Sequence, residues 1–231
     1  MLPGRIKAVI APHAGYVYSG PIAARAFRQI ESLRGSVERI VLIGPAHRVA
    51  LRGLSVPTVD AFATPLGAMP IDAVGRQALL ETGIASADDV PHREEHCLEV
   101  ELPFLQTIFG AIRVLPLLVG RIDPDGLATA LECVWGGAET LIVVSSDLSH
   151  YHDYATAVRL DAVTARQLVA RSTELIPEQA CGAVALNGLM VAAGRCGLEV
   201  VELDRRNSGD TAGDRRRVVG YGAFALHDAD E

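Results

Sequence analysis

The chain has 231 residues, of which 49% are hydrophobic and 21% charged: enough apolar material for one domain with a substantial core, and too much for a disordered segment. A formal charge of -7, a single lysine (Lys7) and the lack of any cluster of cations interleaved with aromatics argue against a nucleic-acid surface. No apolar stretch reaches bilayer length and Met1 is not followed by a leader-like segment, so no membrane role is expected and the setting is read as cytoplasmic; four cysteines without CxxC spacing suit a reducing compartment.

Taken in chain order, the first element is IKAVIA at 6–11, a continuous apolar run of the kind found in strands buried on both faces. It runs into APHAGYVYSG, which puts His13 just past the strand end, with Gly15 and Gly20 as turns. A helix is expected over 21–30, with Ser19 as cap and Pro21 as its first residue. The second strand, RIVLIG at 39–44, leads through PA to His47. Helices follow over 72–82, stopped by Gly83, and over 98–109.

IRVLPLLVG at 112–120 is the third strand, Asp123-Pro124 opens a helix, and TLIVVSS at 140–146 is a fourth strand that reaches His150 through DLSH. Helices are expected over 155–170 and 181–196, the second stopped by Gly197, and LEVVEL (198–203) with VVGYGAFAL (218–226) as a late antiparallel pair. RNSGDTAGDRR at 206–216 reads as a polar surface loop folding over a crevice; it lacks GxxxxGK[ST], and GxGxxG occurs nowhere. Strand and helix alternate, so the expected fold is α/β: a single domain over 1–231, with a mostly parallel or mixed central sheet and helices on both faces.

Three strand-like runs thus end in a histidine-bearing loop, at His13, His47 and His150. Ligands of open α/β sheets bind beyond the carboxyl ends of the strands, where such loops converge on one crevice. Taken singly, each histidine is as well explained by an ordinary loop position; three in equivalent places favour a site, and imidazole is a common metal ligand.

REEHCLEVELPFLQ at 93–106 sets Glu95, His96 and Glu99 within one turn, either as a capped amphipathic helix start or as support for a catalytic centre. Asp147 either orients His150 or caps the turn after its strand. Cys181 stands where a helix should begin, a position that lowers a thiol pKa and favours ligation. Cys97, Cys133 and Cys196 read as packing residues, and Tyr16 and Tyr18 either line the pocket or pack on the neighbouring helix.

In order along the chain, PHAGYVYSG, GPAH, ATPLG, EHCLEVELPFLQ, SSDLSHY, CG at 181–182, NSGD and VVGYGAFAL resemble the Memo family, whose prokaryotic members are called AmmeMemoRadiSam system protein B. That resemblance implies a fold similar to the class III extradiol dioxygenases, which are non-haem iron enzymes, and a metal site of His13, His47 and Cys181. It also implies that His150 sits in the same pocket, where the related dioxygenases keep an acid/base histidine, with His96 joining it; from the residues themselves Asp147 is taken as a further catalytic candidate, and Tyr16, Tyr18 and Glu95 as substrate-binding candidates. Fe(II) is the expected metal, with Cu or Zn as the other candidates for a set of two imidazoles and one thiolate.

The related dioxygenases carry a carboxylate where Cys181 stands, so three functions follow: an iron-dependent oxidoreductase, a zinc hydrolase, or a non-catalytic binding protein. The expected ligand is a small molecule or a peptide, and the family name points to AMMECR-type and radical-SAM proteins as partners. Family members usually begin with a further segment containing an FYP-like motif, which is expected to contribute to the pocket wall.

Overall fold

In the computed structural model, residues 4–229 are described. The strands are β1 (Ile6–Ala11), β2 (Arg39–Pro45), β3 (Leu54–Val56), β4 (Ala61–Thr64), β5 (Gly67–Pro70), β6 (Ala85–Ala87), β7 (Arg113–Val119), β8 (Thr140–Ser145), β9 (His150–His152), β10 (Leu198–Asn207) and β11 (Val218–Asp228). The helices are α1 (Tyr16–Gln29), α2 (Ala73–Glu81), α3 (Leu102–Phe109), α4 (Pro124–Val134), α5 (Tyr154–Val169) and α6 (Ala183–Arg195). The main sheet runs β10-β11-β1-β8-β2-β7-β3-β6, with β9 paired to β11, while β4 and β5 form a separate hairpin.

The centre of the sheet is parallel: β1 pairs with β8, β8 with β2 and β2 with β7. β11 and β10 extend one edge antiparallel, and β3 turns antiparallel against β7 at the other, so the sheet is mixed and the fold α/β, as expected. Alternate residues of the central strands feed two cores. Ile10, Val41, Ile43, Leu117 and Val144 pack on one face, against residues of α4, α5 and α6. Val9, Leu42, Val114, Leu118 and Val143 pack on the other, with α1 and α3. Each such side chain contributes about 1.5–3 kcal/mol by leaving water. Two-sided burial explains why these strands are continuous apolar runs.

Several expected boundaries moved. Helix α1 starts at Tyr16, capped by Gly15, so Pro21 lies inside it and Ser19 is helical, its hydroxyl donating to the Ala14 carbonyl at 2.7 Å. The proline ring forfeits one helical bond, while the early start lets the Tyr16 hydroxyl donate to the Val100 carbonyl and its ring meet Phe104 edge-on. Before α3 the chain forms a 3-10 turn over Glu99–Glu101, and the α-helix begins only next to Pro103.

The segment 206–216 is not a loose cover. β10 continues through Asn207, whose side chain caps a 3-10 turn over Ser208–Asp210, and the Val219 N–H donates to Ser208 Oγ at 3.1 Å. Asn207 and Ser208 are buried, which ties the segment to β11. Cys133 and Cys196 are exposed rather than packed; only Cys97 of that group is buried. Among the described residues no helix is long and apolar enough to cross a membrane.

Candidate functional site

β1, β2 and β8 are parallel neighbours, so their carboxyl ends emerge on one side of the sheet and carry His13, His47 and Asp147 with His150. The loop ahead of α3 adds Glu95 and His96 from above the β2 end, and the turn before α6 adds Cys181. A cavity of about 650 Å³, lined by His13, His47, His96, Asp147, His150 and Cys181 among others, opens where they meet. That volume suits a small organic ligand.

Three imidazoles form a triangle. Ring centroids lie 5.3 Å apart for His13 and His47, 5.5 Å for His13 and His96, and 5.4 Å for His47 and His96. One nitrogen from each falls within 4.8 Å of the others, spacing compatible with a shared metal ion. Cys181 Sγ stands 3.4 Å from His13 Nε2.

Each ring is held by its other nitrogen or by its backbone. The His13 N–H donates to Asp147 Oδ1 at 2.9 Å, and His13 Nδ1 lies 2.8 Å from Ser145 Oγ. The His47 N–H donates to Glu95 Oε2 at 2.6 Å, and Nδ1 of His47 lies 2.9 Å from Glu95 Oε1. The same carboxylate oxygen accepts the Cys97 N–H at 3.1 Å and sits 3.4 Å from His96 Nδ1. Anchoring one nitrogen fixes the tautomer and aims the other, as metal-binding histidines require.

Charge states follow from these surroundings. Burial, with the neighbouring His47 and His96 rings, pulls His13 down to about 3, so it is a neutral imidazole with a free lone pair. Burial acts to raise the Glu95 carboxyl, but hydrogen bonds from the His47 ring and from the His47 and Cys97 N–H groups outweigh it and hold the group at about 2. Burial lifts Asp147 to about 6.

Cys181 departs from expectation. It precedes α6 by two residues, and burial together with the Asp147 carboxylate pushes its thiol up to about 12 instead of lowering it. The Asp147 N–H donates to Sγ at 3.3 Å, but a helix terminus does not offset desolvation here. Gly182 is required beside it, because a Cβ there would lie 2.7 Å from Ser146 Oγ, which accepts the Gly182 N–H at 3.0 Å.

The nine residues singled out from the sequence divide. His13, His47, His96, Asp147, His150 and Cys181 line the cavity, and Glu95 stands behind His47. Tyr16 and Tyr18 do not line it: they sit on the first turn of α1, 49% and 39% exposed, with Tyr16 turned toward Val100 and Phe104. Sequence reasoning missed Ser145, His152, Glu178 and Tyr151, the last at φ +64° in the left-handed region with the Arg217 guanidinium 4.4 Å from its ring centroid. The doubled histidine in HYH was the one available signal.

The Memo-like protein family model matches residues 3–225. A MEMO1 family protein of Desulfurococcus amylolyticus is 31% identical over 94% of this chain and 82% of its own. One from Aquifex aeolicus is 35% identical over 93% and 84%. Among solved structures, an uncharacterised protein from Escherichia coli K12 is similar in fold, with a TM-score of 0.57 at 14% identity over 96% of this chain and 99% of that one. With the family model spanning nearly the whole chain and relatives above 30% identity, this protein belongs to the Memo-like family.

Proposed function

We propose that this protein is a metal-dependent oxidoreductase of the extradiol-dioxygenase type, holding one ferrous ion with His13, His47 and Cys181 beside a cavity for a small organic substrate. The observation that carries the reading is the 3.4 Å between His13 Nε2 and Cys181 Sγ. Metal–nitrogen and metal–sulfur bonds of about 2.0 and 2.3 Å at a tetrahedral angle set two such donors about 3.5 Å apart. The donor chemistry fits: His13 is neutral, His47 is fixed by Glu95, and Cys181, which reaches the set through His13, supplies a soft ligand on losing its proton, while His96 is the third nitrogen donor within 4.8 Å of His13 and His47. When bound, the ion would supply Lewis acidity and a redox centre for substrate and O₂.

The chain's own groups would do the rest. Glu95 keeps the His47 ring oriented, and the Asp147 N–H stabilises negative charge on Sγ. His150 borders the cavity, where an imidazole both takes and returns a substrate proton.

One observation favours zinc hydrolysis as a second reading: Asp147 borders the cavity, and although its Oδ1 accepts the His13 N–H, burial lifts the carboxyl to about 6, where its other oxygen can act as a base near neutral pH. Glu95 cannot serve, since its oxygens are committed to His47 and Cys97. The test is elemental analysis of anaerobically purified wild type and His47→Ala, with O₂ uptake on a catechol. One iron per chain, lost in the variant, and O₂ uptake are expected. Unchanged metal content in the variant overturns the ligand assignment, whereas zinc with turnover that survives strict exclusion of O₂ replaces the oxidoreductase by the hydrolase.

A further inference from the structure

Behind His13, away from the cavity, lies a carboxyl group with no role in the chemistry above. Glu101, in the 3-10 turn before α3, is fully buried; its Oε1 is 2.9 Å from Ser145 Oγ, and its Oε2 has no hydrogen-bond partner. No cation stands among the groups acting on it; burial pushes its pKa well above the ordinary carboxyl range, and Asp147 adds repulsion.

The decisive feature is the crowding at Ser145 Oγ. Besides Glu101, it lies 2.7 Å from the Cys97 carbonyl and 2.8 Å from His13 Nδ1. A hydroxyl has one proton to give and two lone pairs to receive. The Cys97 carbonyl can only accept, so it takes the Ser145 proton. Glu101 and His13 must then both donate if all three short contacts are to be attractive.

An ionised Glu101 breaks this arrangement. It would either face a Ser145 lone pair or draw away the proton that serves Cys97, and it would leave a bare carboxylate oxygen buried and unpaired. A neutral acid leaves only a carbonyl-type oxygen unpaired. Glu95 and Glu101, six positions apart, therefore hold opposite charge states: the first is an anion behind His47, the second a neutral donor behind His13.

We propose that Glu101 is a positioning residue for the metal centre: as a neutral carboxylic acid it donates to Ser145, which together with Cys97 leaves Ser145 only a lone pair for His13. The ring is then held as the Nδ1–H tautomer, and Nε2 is presented bare to the cavity, next to Cys181. This rests on reading His13 as a metal ligand.

Infrared difference spectra of the metal-free protein, wild type against Glu101→Gln at neutral pH, test the protonation state. A protonated-carboxyl band lost in the variant is the expected result; a carboxylate signal in its place overturns the proposal. Positioning is read by long-range proton–nitrogen NMR of the His13 ring in metal-free samples and by Zn(II) titration. Glu101→Gln, whose amide still donates to Ser145, is expected to keep the tautomer and to bind Zn(II) within about 3-fold of wild type, whereas Glu101→Met removes the donor that strengthens the Ser145 hydroxyl's own donation to the Cys97 carbonyl, frees that proton to turn toward His13 Nδ1, shows both tautomers and loses affinity about 10–100-fold.

Unchanged tautomer and affinity in Glu101→Met overturn the positioning role. Should that variant not fold, Glu101→Gln decides, since a folded chain with affinity reduced tenfold or more would require the anion. The infrared and NMR measurements use no metal. A wild type that shows the band and the single tautomer but binds no divalent ion would therefore sink the metal-site reading and leave the neutral Glu101 standing.

Discussion

The thiol of Cys181 lies 3.4 Å from Nε2 of His13, although 168 positions separate the two residues. One follows the first strand of the sheet and the other precedes the last helix, and both are held by the Ser145-Ser146-Asp147 corner at the end of β8. Two donors from opposite ends of the chain are thus fixed against one strand terminus, so small errors at that corner would separate them.

Replacing Cys181 by Ser is expected to weaken Zn(II) or Co(II) binding at least about 100-fold and to abolish the thiolate-to-Co(II) charge-transfer absorption. Its hydroxyl can still accept the Asp147 N–H, so stability should change by less than about 1 kcal/mol. Metal titration beside urea denaturation separates the two effects. An undiminished charge-transfer band would rule out Cys181 as a ligand.

Glu95→Gln removes the anion behind His47. One amide cannot accept from the His47 ring, the His47 N–H and the Cys97 N–H as the carboxylate does. Metal affinity should drop about 10–100-fold without loss of any ligand. Isothermal titration with Zn(II) is the check, and wild-type affinity would show that the anchor is dispensable.

In the metal-free protein, His13 and Glu95 each cost stability on acidification, while Asp147, raised by burial to about 6 from 3.8, works the other way and recovers stability as pH falls between about 6 and 4. His13 is depressed to about 3 from an unfolded value near 6.5, so the unfolded chain binds the extra proton first and stability declines as pH drops below about 6.5. Glu95, depressed to about 2 from 4.5, contributes stability above about 4.5 that is lost as pH falls toward 2. Cys181 acts at the other end: its thiol is raised to about 12 from 9, so its contribution is present below about 9 and declines above it. Thermal melts across pH 3–8 should therefore flatten at the acid end in His13→Phe relative to wild type; identical profiles would contradict a buried neutral His13.

Lys7, the single lysine, is 2% exposed, and its ammonium lies within 3.3 Å of the carbonyls of Trp135, Gly136, Gly137 and Thr140. It ties the start of β1 to the turn between α4 and β8. Lys7→Met should destabilise by about 3 kcal/mol, because the orphaned carbonyls lose their donor while the chain volume is kept. Urea denaturation measures it, and a loss below about 1 kcal/mol would mean that water replaces the ammonium. The proposed metal site lies at the opposite end of β1, so Zn(II) affinity should be unchanged in the folded variant.

Much of the fold was legible because of two-sided burial. IKAVIA, RIVLIG and TLIVVSS announce themselves as core strands by unbroken apolar character, and Asp123, ahead of Pro124, caps α4 by accepting the Gly126 N–H. Strands β3, β5 and β6 were not legible: at three or four residues each they carry no period, and only pairing with β7, β4 and β3 makes them strands. The early start of α1 was hidden for a similar reason. Pro21 argues locally for a helix beginning there, and the contacts of Tyr16 with Val100 and Phe104 override it.

For the site, histidines after three of the four apolar strands were visible as candidates by sequence alone, since strand, turn and donor type are local properties. Tertiary structure decided what those donors are. The parallel order β1-β8-β2 brings the three loops to one edge, burial makes His13 neutral and Cys181 a protonated thiol, and Tyr16 turns toward Val100 and Phe104 because α1 begins one turn before its proline. Protonation and orientation depend on desolvation and on partners up to 168 residues distant, and no window of sequence contains them.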